Sequence, residues 1–132
     1  MNHFARPLQL AHRAACRLGG VAIVYRRITD AGQVLELRLD KSHVAIGRTE
    51  FIGQDNEGVL EKWHSRDYLL EAADLVLGGQ RTLPQIGDEI DEFEGSVKRT
   101  YQVLETPEGP GYKFRDQFRT LLRVFTKEVP SS

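Results

Sequence analysis

The sequence predicts a mainly β protein: a small antiparallel β-barrel or sandwich with one α-helix at its N-terminus. Helical spacing of apolar residues is confined to residues 2–18. After Gly20, apolar and polar residues alternate, as they do on strands with one buried face. Turn signals then recur roughly every 8 to 15 residues, a spacing typical of small all-β folds.

The first element is an amphipathic helix. The residues of its apolar face lie three or four apart: Phe4, Leu8, Ala11, Ala15 and Leu18. Because proline is tolerated in a helix only in the first turn, Pro7 places the start of the regular helix near itself. Gly19 and Gly20 are expected to end the helix, since glycine adopts the left-handed cap conformation without a steric penalty. The small alanines favour close packing of this face on a sheet.

Six to eight short strands are predicted next. They fall within residues 21–28, 33–39, 43–51, 62–72, 88–94, 98–105, 112–115 and 120–129. In the second stretch, Leu35, Leu37 and Leu39 form one dry face. Gly47 is expected to break the third. The last stretch also has helical spacing, but its threonine, valine and phenylalanine content and the following Pro130 favour a strand.

Residues 72–80 interrupt the strand pattern. They are predicted to form a short helical turn that Gly78 and Gly79 end. A loop follows, in which Pro84 and Gly87 set the approach to the next strand.

Size, charge and cysteine content limit the class of protein. A length of 132 residues is typical of one domain, so we expect a helix at residues 1–19 and a β-barrel domain at residues 20–132 that fold as one unit. The net charge of -1 argues against a surface that binds nucleic acid throughout. Cys16 is the only cysteine, which excludes an internal disulfide. The chain contains neither an apolar run of about 20 residues for a membrane helix nor a secretory signal. A soluble intracellular protein, or part of a particle assembled inside a cell, is predicted.

The most unusual feature is the acidic segment, residues 87–95, which has the sequence GDEIDEFEG. Its carboxylates are Asp88, Glu89, Asp91, Glu92 and Glu94. On a strand they would be divided between both faces, and the segment lacks the order of a calcium-binding loop. We expect a mostly solvated edge or hairpin strand anchored by Ile90 or Phe93. The alternatives are a surface that repels polyanions and a metal site.

No arrangement of residues indicates catalysis. The histidines His3, His12, His43 and His64 lack metal-ligand spacing and are expected at surface or half-buried positions. A contiguous His64-Ser65-Arg66-Asp67 on a strand does not align nucleophile, base and orienting acid. Basic residues are interleaved with acids, and the aromatic residues fall mostly at core positions, which disfavours an exposed base-stacking surface. We predict no enzyme, no catalytic residue, no cofactor and no metal.

The middle and C-terminal parts of the chain resemble the small β-barrel head–tail joining proteins of tailed bacteriophages, also called head-completion, stopper or neck proteins. The resemblance covers residues 20–128. It rests on the loop motif Pro84-x-x-Gly87-Asp88, on the motif Tyr101-x-Val103 within one strand, and on a final strand at 119–129. The helix before Gly20 is a usual prelude in prophage-type relatives.

The resemblance implies a structural protein of the virion neck, assembled in the host cytoplasm. It implies a homo-oligomeric ring below the portal or its adaptor ring that joins head to tail and retains or conducts packaged double-stranded DNA. Asp88, Glu89, Asp91, Glu92, Glu94, Lys98 and Arg99 are then candidates for the lumen or for a contact between rings. The alternatives are another neck or tail ring, such as a tail terminator, and a monomeric OB- or SH3-like nucleic-acid-binding barrel.

Overall fold

The computed structural model describes residues 6–54, 56–107 and 109–130. Helix α1 spans Arg6–Gly19. The strands are β1 Ala22–Ile28, β2 Val34–Leu39, β3 Ala45–Gln54, β4 Leu60–Glu71, β5 Val76–Leu77, β6 Gln80–Arg81, β7 Glu89–Glu94, β8 Val97–Val103, β9 Tyr112–Phe114 and β10 Leu121–Glu128. These elements confirm the mainly β class with one N-terminal helix. The predicted helical residues 2–5, with His3 and Phe4, lie outside the described residues.

Eight strands form one antiparallel sheet. Its order is β2-β1-β7-β8-β10-β4-β3, and β9 pairs with β10, while β5 and β6 form a separate small hairpin. Among the described residues, β2 and β3 at the two ends do not pair with each other, so the sheet is not closed into a barrel. Contact between the start of β1 and β3 is limited to one bridge, Gly20 with Ala45.

The main core lies on one face of this sheet. Fully buried side chains of this core include Tyr25, Tyr68, Leu70, Ile90, Leu122 and Val124 on β1, β4, β7 and β10, and Val103 on β8. Leu35, Leu37 and Leu39 of β2 pack against this core, which confirms the predicted dry face. Each fully buried aliphatic or aromatic side chain contributes about 1.5–3 kcal/mol relative to an exposed one. These residues therefore hold the open sheet in shape.

Helix α1 packs against β3 and β4 with a different face from the predicted one. Cys16 contacts Ala45 and Leu69 in a second small core, and His12 bonds the carbonyl of His43 at 3.2 Å. His12 is therefore buried, against our expectation, and burial lowers the pKa of its imidazole. The contacts of Cys16 and His12 set the rotation of the helix against the sheet, and the Gly20 N–H, which donates to the Cys16 carbonyl at 2.7 Å, closes its last turn. The described residues of the predicted apolar face, Leu8, Ala11, Ala15 and Leu18, are exposed as a result.

Two glycine predictions are also corrected. Gly78 and Gly79 do not end a helix: a 3-10 turn ends at Asp74, and the two glycines, with φ of 60° and 79°, form the turn of the β5–β6 hairpin. Gly47 does not break β3, which continues to Gln54. A Cβ at Gly47 would lie 3.2 Å from the guanidinium of Arg123, so glycine leaves room for that side chain beside the strand. The final stretch is a strand, β10, as predicted.

Candidate functional site

The acidic segment lies inside the sheet. Strand β7 pairs with β1 on one side and with β8 on the other. The prediction of an edge strand is therefore wrong, although β7 does form a hairpin with β8. Ile90 is the buried anchor, whereas Phe93 is 37% exposed. The prediction of a mostly solvated segment also fails, because Asp88, Asp91 and Glu92 are buried.

The Asp88 carboxylate, just before β7, is held by an arginine, a tyrosine and a backbone amide. Arg27 donates from Nε at 3.0 Å and from Nη2 at 2.8 Å, and the Gln85 N–H donates at 2.9 Å. The Tyr25 hydroxyl donates a short hydrogen bond to the same carboxylate. Burial, followed by the charge of Asp88, raises the pKa of Tyr25, so the phenol remains a donor.

Glu92 repeats this arrangement four residues further along the same face of the strand. Arg66 on β4 donates two hydrogen bonds of 2.7 Å to the Glu92 carboxylate, and the Tyr68 hydroxyl donates at 2.8 Å. Tyr68 is fully buried, and burial raises its pKa. Because β4 is not adjacent to β7 in the sheet, this cluster joins two distant strands across the core. Two parallel hydrogen bonds from an arginine to a carboxylate are among the stronger polar contacts in proteins.

Asp91 and Glu89 point to the opposite face of β7, toward Arg26. Arg26 donates to Asp91 at 2.6 and 3.1 Å and approaches Glu89 at 3.6 Å. The Thr100 hydroxyl donates to Asp91 at 2.7 Å. Burial alone would raise the pKa of Asp91, but the hydrogen bonds from Arg26 and Thr100 outweigh it, and the pKa is lowered. Asp91 is therefore an ionised structural carboxylate.

The remaining charges of the predicted set are accessible. Glu94, Lys98 and Arg99 are exposed, and the Glu89 side chain is 28% exposed. Lys98, Arg99 and Glu89 line an open groove of about 770 Å³ together with Arg26 and the C-terminal end of β10. The β7–β8 hairpin thus presents two acids, Glu89 and Glu94, and two bases, Lys98 and Arg99, to its surroundings.

Stability should depend on pH through Asp91. Its lowered folded-state pKa means that the ionised form adds stability above the unfolded pKa of about 4, and that this stability is lost as pH falls through the lower folded-state value. Asp91→Asn should therefore reduce the free energy of unfolding by about 1–3 kcal/mol at pH 7, and the difference from the parent should shrink below pH 4. Urea unfolding between pH 7 and pH 3 measures this. The control is Glu94→Gln on the same strand, which is exposed; a difference for Asp91→Asn that stays constant with pH would contradict the assignment.

Sequence reasoning missed the arginine partners. The sequence analysis assigned no partner to Arg27 or Arg66, yet both ion-pair with buried carboxylates. A signal existed for Arg27, because alternation along β1 places it on the same face as the core residues Ile23 and Tyr25. Alternation does not predict the partner of Arg66. That partner, Glu92, lies on β7, which is distant from β4 both in sequence and in the sheet.

A further buried carboxylate was also missed. Asp67 is 0% exposed and accepts hydrogen bonds from Arg123 at 2.5 Å, from Thr49 at 2.5 Å and from Ser65. This cluster lies on the other face of β4 from Tyr68. Like the clusters of β7, it neutralises an acid with an arginine and hydroxyl groups, so its chemistry is structural.

The described residues contain neither a cluster of metal ligands nor a helix able to span a membrane. Within the described parts of the chain, no three His, Cys, Asp or Glu side chains lie close enough together to hold a metal ion. None of the described helices combines the length and the apolar character that crossing a bilayer requires.

Comparison with known proteins gives one finding. The model of the phage head–tail joining protein family matches residues 1–132. A search of curated proteins finds no match. Since the family model covers the whole chain, and the fold is the β-rich one that its motifs predicted, the protein belongs to the phage head–tail joining family.

Proposed function

We propose that this member of the family forms a homo-oligomeric ring below the portal or its adaptor, joins head to tail there, and retains or conducts packaged DNA. The family match over the full chain carries the proposal. The open sheet supports it, because β2 and most of β3 have outer edges that no other described strand covers. Exposed edges are contact points for further copies, and a heterologous contact that closes makes a ring.

Within this ring, we place the β7–β8 hairpin at the lumen or at the contact with the neighbouring ring. Asp88, Asp91 and Glu92 are occupied by internal partners, so the accessible groups are Glu89, Glu94, Lys98 and Arg99. Mixed charge suits a conduit for DNA, because a purely basic wall would bind phosphates and slow passage. A ring–ring contact would use the same charges in complementary pairs.

We also propose that the protein has no catalytic role. The buried carboxylates, which would be the first candidates for acid–base chemistry, each have an arginine and at least one hydroxyl group as partners. Tyrosines with raised pKa values serve as hydrogen-bond donors to two of these carboxylates. Groups held in this way stabilise the fold and are not poised to act as a base or a nucleophile.

Complementation of a phage carrying a nonsense mutation in this gene tests the function. Without the protein, we expect filled heads and separate tails, seen by electron microscopy, and a loss of infectious particles. The wild-type gene should restore joining, whereas the double variant Lys98→Glu/Arg99→Glu should restore it poorly, since it makes the hairpin wholly acidic. Arg81→Glu, an exposed charge on β6 outside the large sheet, is the matched control and should complement.

Three outcomes of that experiment would count against these proposals. Normal joined particles in the nonsense strain would overturn the function. Full complementation by Lys98→Glu/Arg99→Glu would show that the hairpin lies neither at the lumen nor at the contact between rings. Localisation of residues 88–94 to the outer wall in an image of the neck would exclude the lumen.

A further inference from the structure

The buried imidazole of His12 joins helix α1 to two other elements through its two ring nitrogens. Nε2 lies 3.2 Å from the carbonyl oxygen of His43, in the connection before β3. Nδ1 lies 3.3 Å from Nη1 of Arg115, just after β9. A carbonyl accepts hydrogen bonds and a guanidinium donates them. The two contacts together therefore require a proton on Nε2 and a free lone pair on Nδ1, which is one tautomer of the neutral imidazole.

Protonation of His12 in its docked position is unfavourable. The second proton would lie on Nδ1 and point at the Arg115 guanidinium, so a hydrogen bond would become a repulsion between two cations. Burial, followed by the charge of Arg123, lowers the pKa of Arg115, which shows that this region already carries excess positive charge. His12 is 2% exposed, so water does not solvate a new charge there.

Two carboxylates near the imidazole act in the opposite direction. Glu71 of β4 and Asp74 of the 3-10 turn favour the charged ring, as does the hydrogen bond to the carbonyl of His43. Burial is the largest influence, and the charge of Arg115 adds to it. The balance lowers the pKa of His12. The neutral form required by the hydrogen bonds is thus also the form that the electrostatic surroundings favour.

The contact of α1 with the sheet is small and separate from the main core. Cys16 packs with Ala45 and Leu69 in a cluster of their own, whereas the main core uses the opposite face of β4, where Tyr68 lies. The Cys16 thiol, 3.4 Å from Nε2 of His12, stays protonated because burial raises its pKa. A unit held by few buried contacts opens at a lower free energy than the whole fold. Helix α1 is therefore able to leave the sheet while the main core stays intact.

We propose that α1 stays docked only while His12 is neutral, and that acidification releases the helix from the sheet. Opening brings the imidazole into water, where it takes up the proton that its docked position excludes. Because the docked state binds this proton less tightly than the open state, docking is fully stable above the pKa of a free histidine, about 6.5. It weakens as pH falls from that value toward the lower pKa of the docked ring. This switch does not depend on the proposed ring.

Labelling of Cys16 measures the release, because it is the only cysteine of the chain and is 2% exposed. The rate of reaction with dithiodipyridine, which also reacts with thiols at acid pH, is measured for the folded chain and for the same chain in urea. The ratio of the two rates gives the opening constant of the helix and removes the pH dependence of the thiol itself. We expect this constant to rise severalfold between pH 7.5 and pH 5.5, toward a limit of about tenfold for one proton bound below a pKa of about 6.5.

A chain with His12 as its only histidine isolates the switch. Glutamine replaces the other three: His3→Gln, His43→Gln and His64→Gln. His43 needs this control, since its own ring lies 3.3 Å from Asp74 and would strengthen the junction when protonated. The rise should persist in this background, and adding His12→Gln should abolish it, because an amide donates to the carbonyl of residue 43 but takes up no proton. The wild-type chain and His12→Gln alone repeat the comparison without the other changes.

Two further measurements use the wild-type chain. Trp63, the only tryptophan, stacks on Phe51 in the β3–β4 hairpin, with ring centroids 4.5 Å apart. Its fluorescence should stay native at the acid pH while Cys16 becomes reactive. Nitrogen NMR near pH 7 identifies the tautomer directly and should place the His12 proton on Nε2.

Four results would overturn the proposal. A flat opening constant in the chain that keeps only His12 would show that its protonation does not release the helix. An equal rise after His12→Gln would assign the effect to another group. A change of Trp63 fluorescence in step with Cys16 labelling would mean that the sheet unfolds as a whole. A His12 proton on Nδ1 near pH 7 would contradict the hydrogen bonds from which the switch follows.

Discussion

Asp88→Ala is expected to lower the free energy of unfolding by about 3–5 kcal/mol, the usual cost of removing one partner from a buried ion pair. The Arg27 guanidinium would lose its carboxylate while its side chain is only 11% exposed. The fully buried Tyr25 hydroxyl would lose its acceptor, and the Gln85 N–H would lose one as well. Urea unfolding followed by circular dichroism measures the change.

The matched control for Asp88→Ala is Glu94→Ala, which removes the same charge at the other end of the same segment. Glu94 is exposed, so its loss should change the free energy of unfolding by no more than about 0.5 kcal/mol. Equal effects of the two substitutions would show that Asp88 does not act through burial and its partners.

A triple variant separates the ion pair from the shape of the site. Tyr25→Phe, Arg27→Met and Asp88→Leu together remove the buried carboxylate and the two side chains that donate to it. If the damage in Asp88→Ala comes from uncompensated polar groups, the triple variant should unfold at a higher urea concentration than Asp88→Ala. A triple variant that is less stable than Asp88→Ala would instead indicate that the cluster positions the strands in a way that apolar packing does not replace.

Much of the fold was predictable from local pattern. Strand β2 was recognisable from Leu35, Leu37 and Leu39, because an alternating strand with one dry face needs no knowledge of its neighbours. The last strand was resolved correctly from its β-branched content and Pro130. Closure of the sheet was not predictable, since it depends on whether β2 and β3 meet, and nothing local to either strand encodes that contact.

The predictions for the buried face of α1 and for the acidic strand β7 were wrong for a shared reason. In both, the prediction placed each residue by its own polarity, with apolar residues buried in α1 and charged residues solvated in the acidic segment. In α1, the contacts of His12 and Cys16 and the tight junction at Gly20 fix the rotation, and the apolar stripe faces outward. In β7, Asp88 and Glu92 are buried because arginines and tyrosines from other strands satisfy them. Tertiary partners outweighed composition in each case.

The outward stripe and the buried acids also bear on function together. Leu18 is 92% exposed, and an exposed apolar surface is a candidate contact for a partner protein. The carboxylates Asp88, Asp91 and Glu92, in contrast, have their partners inside the chain. The acidic segment is thus mainly structural, and the face of α1 that was predicted to be buried lies at the surface.

Gly20→Ala is expected to be the most damaging change at the junction of helix and sheet, lowering the free energy of unfolding by about 3 kcal/mol or more. A Cβ at this position would lie 1.8 Å from the Lys41 carbonyl oxygen and 2.5 Å from that of Cys16. Both atoms belong to the backbone, so no side-chain rotation relieves the clash. The chain would have to separate the end of α1 from the connection between β2 and β3.

The adjacent Gly19 supplies a close control for that prediction. It is the last residue of α1, it is exposed, and no atom lies within 4 Å of a Cβ built on it. Gly19→Ala should leave stability unchanged or raise it by up to about 1 kcal/mol, through the better helix propensity of alanine. Thermal unfolding of the two variants compares positions one residue apart with the same added methyl group. If Gly20→Ala is as stable as Gly19→Ala, α1 does not meet the sheet through this close approach, and the outward orientation of Leu8, Ala11, Ala15 and Leu18 loses its structural basis.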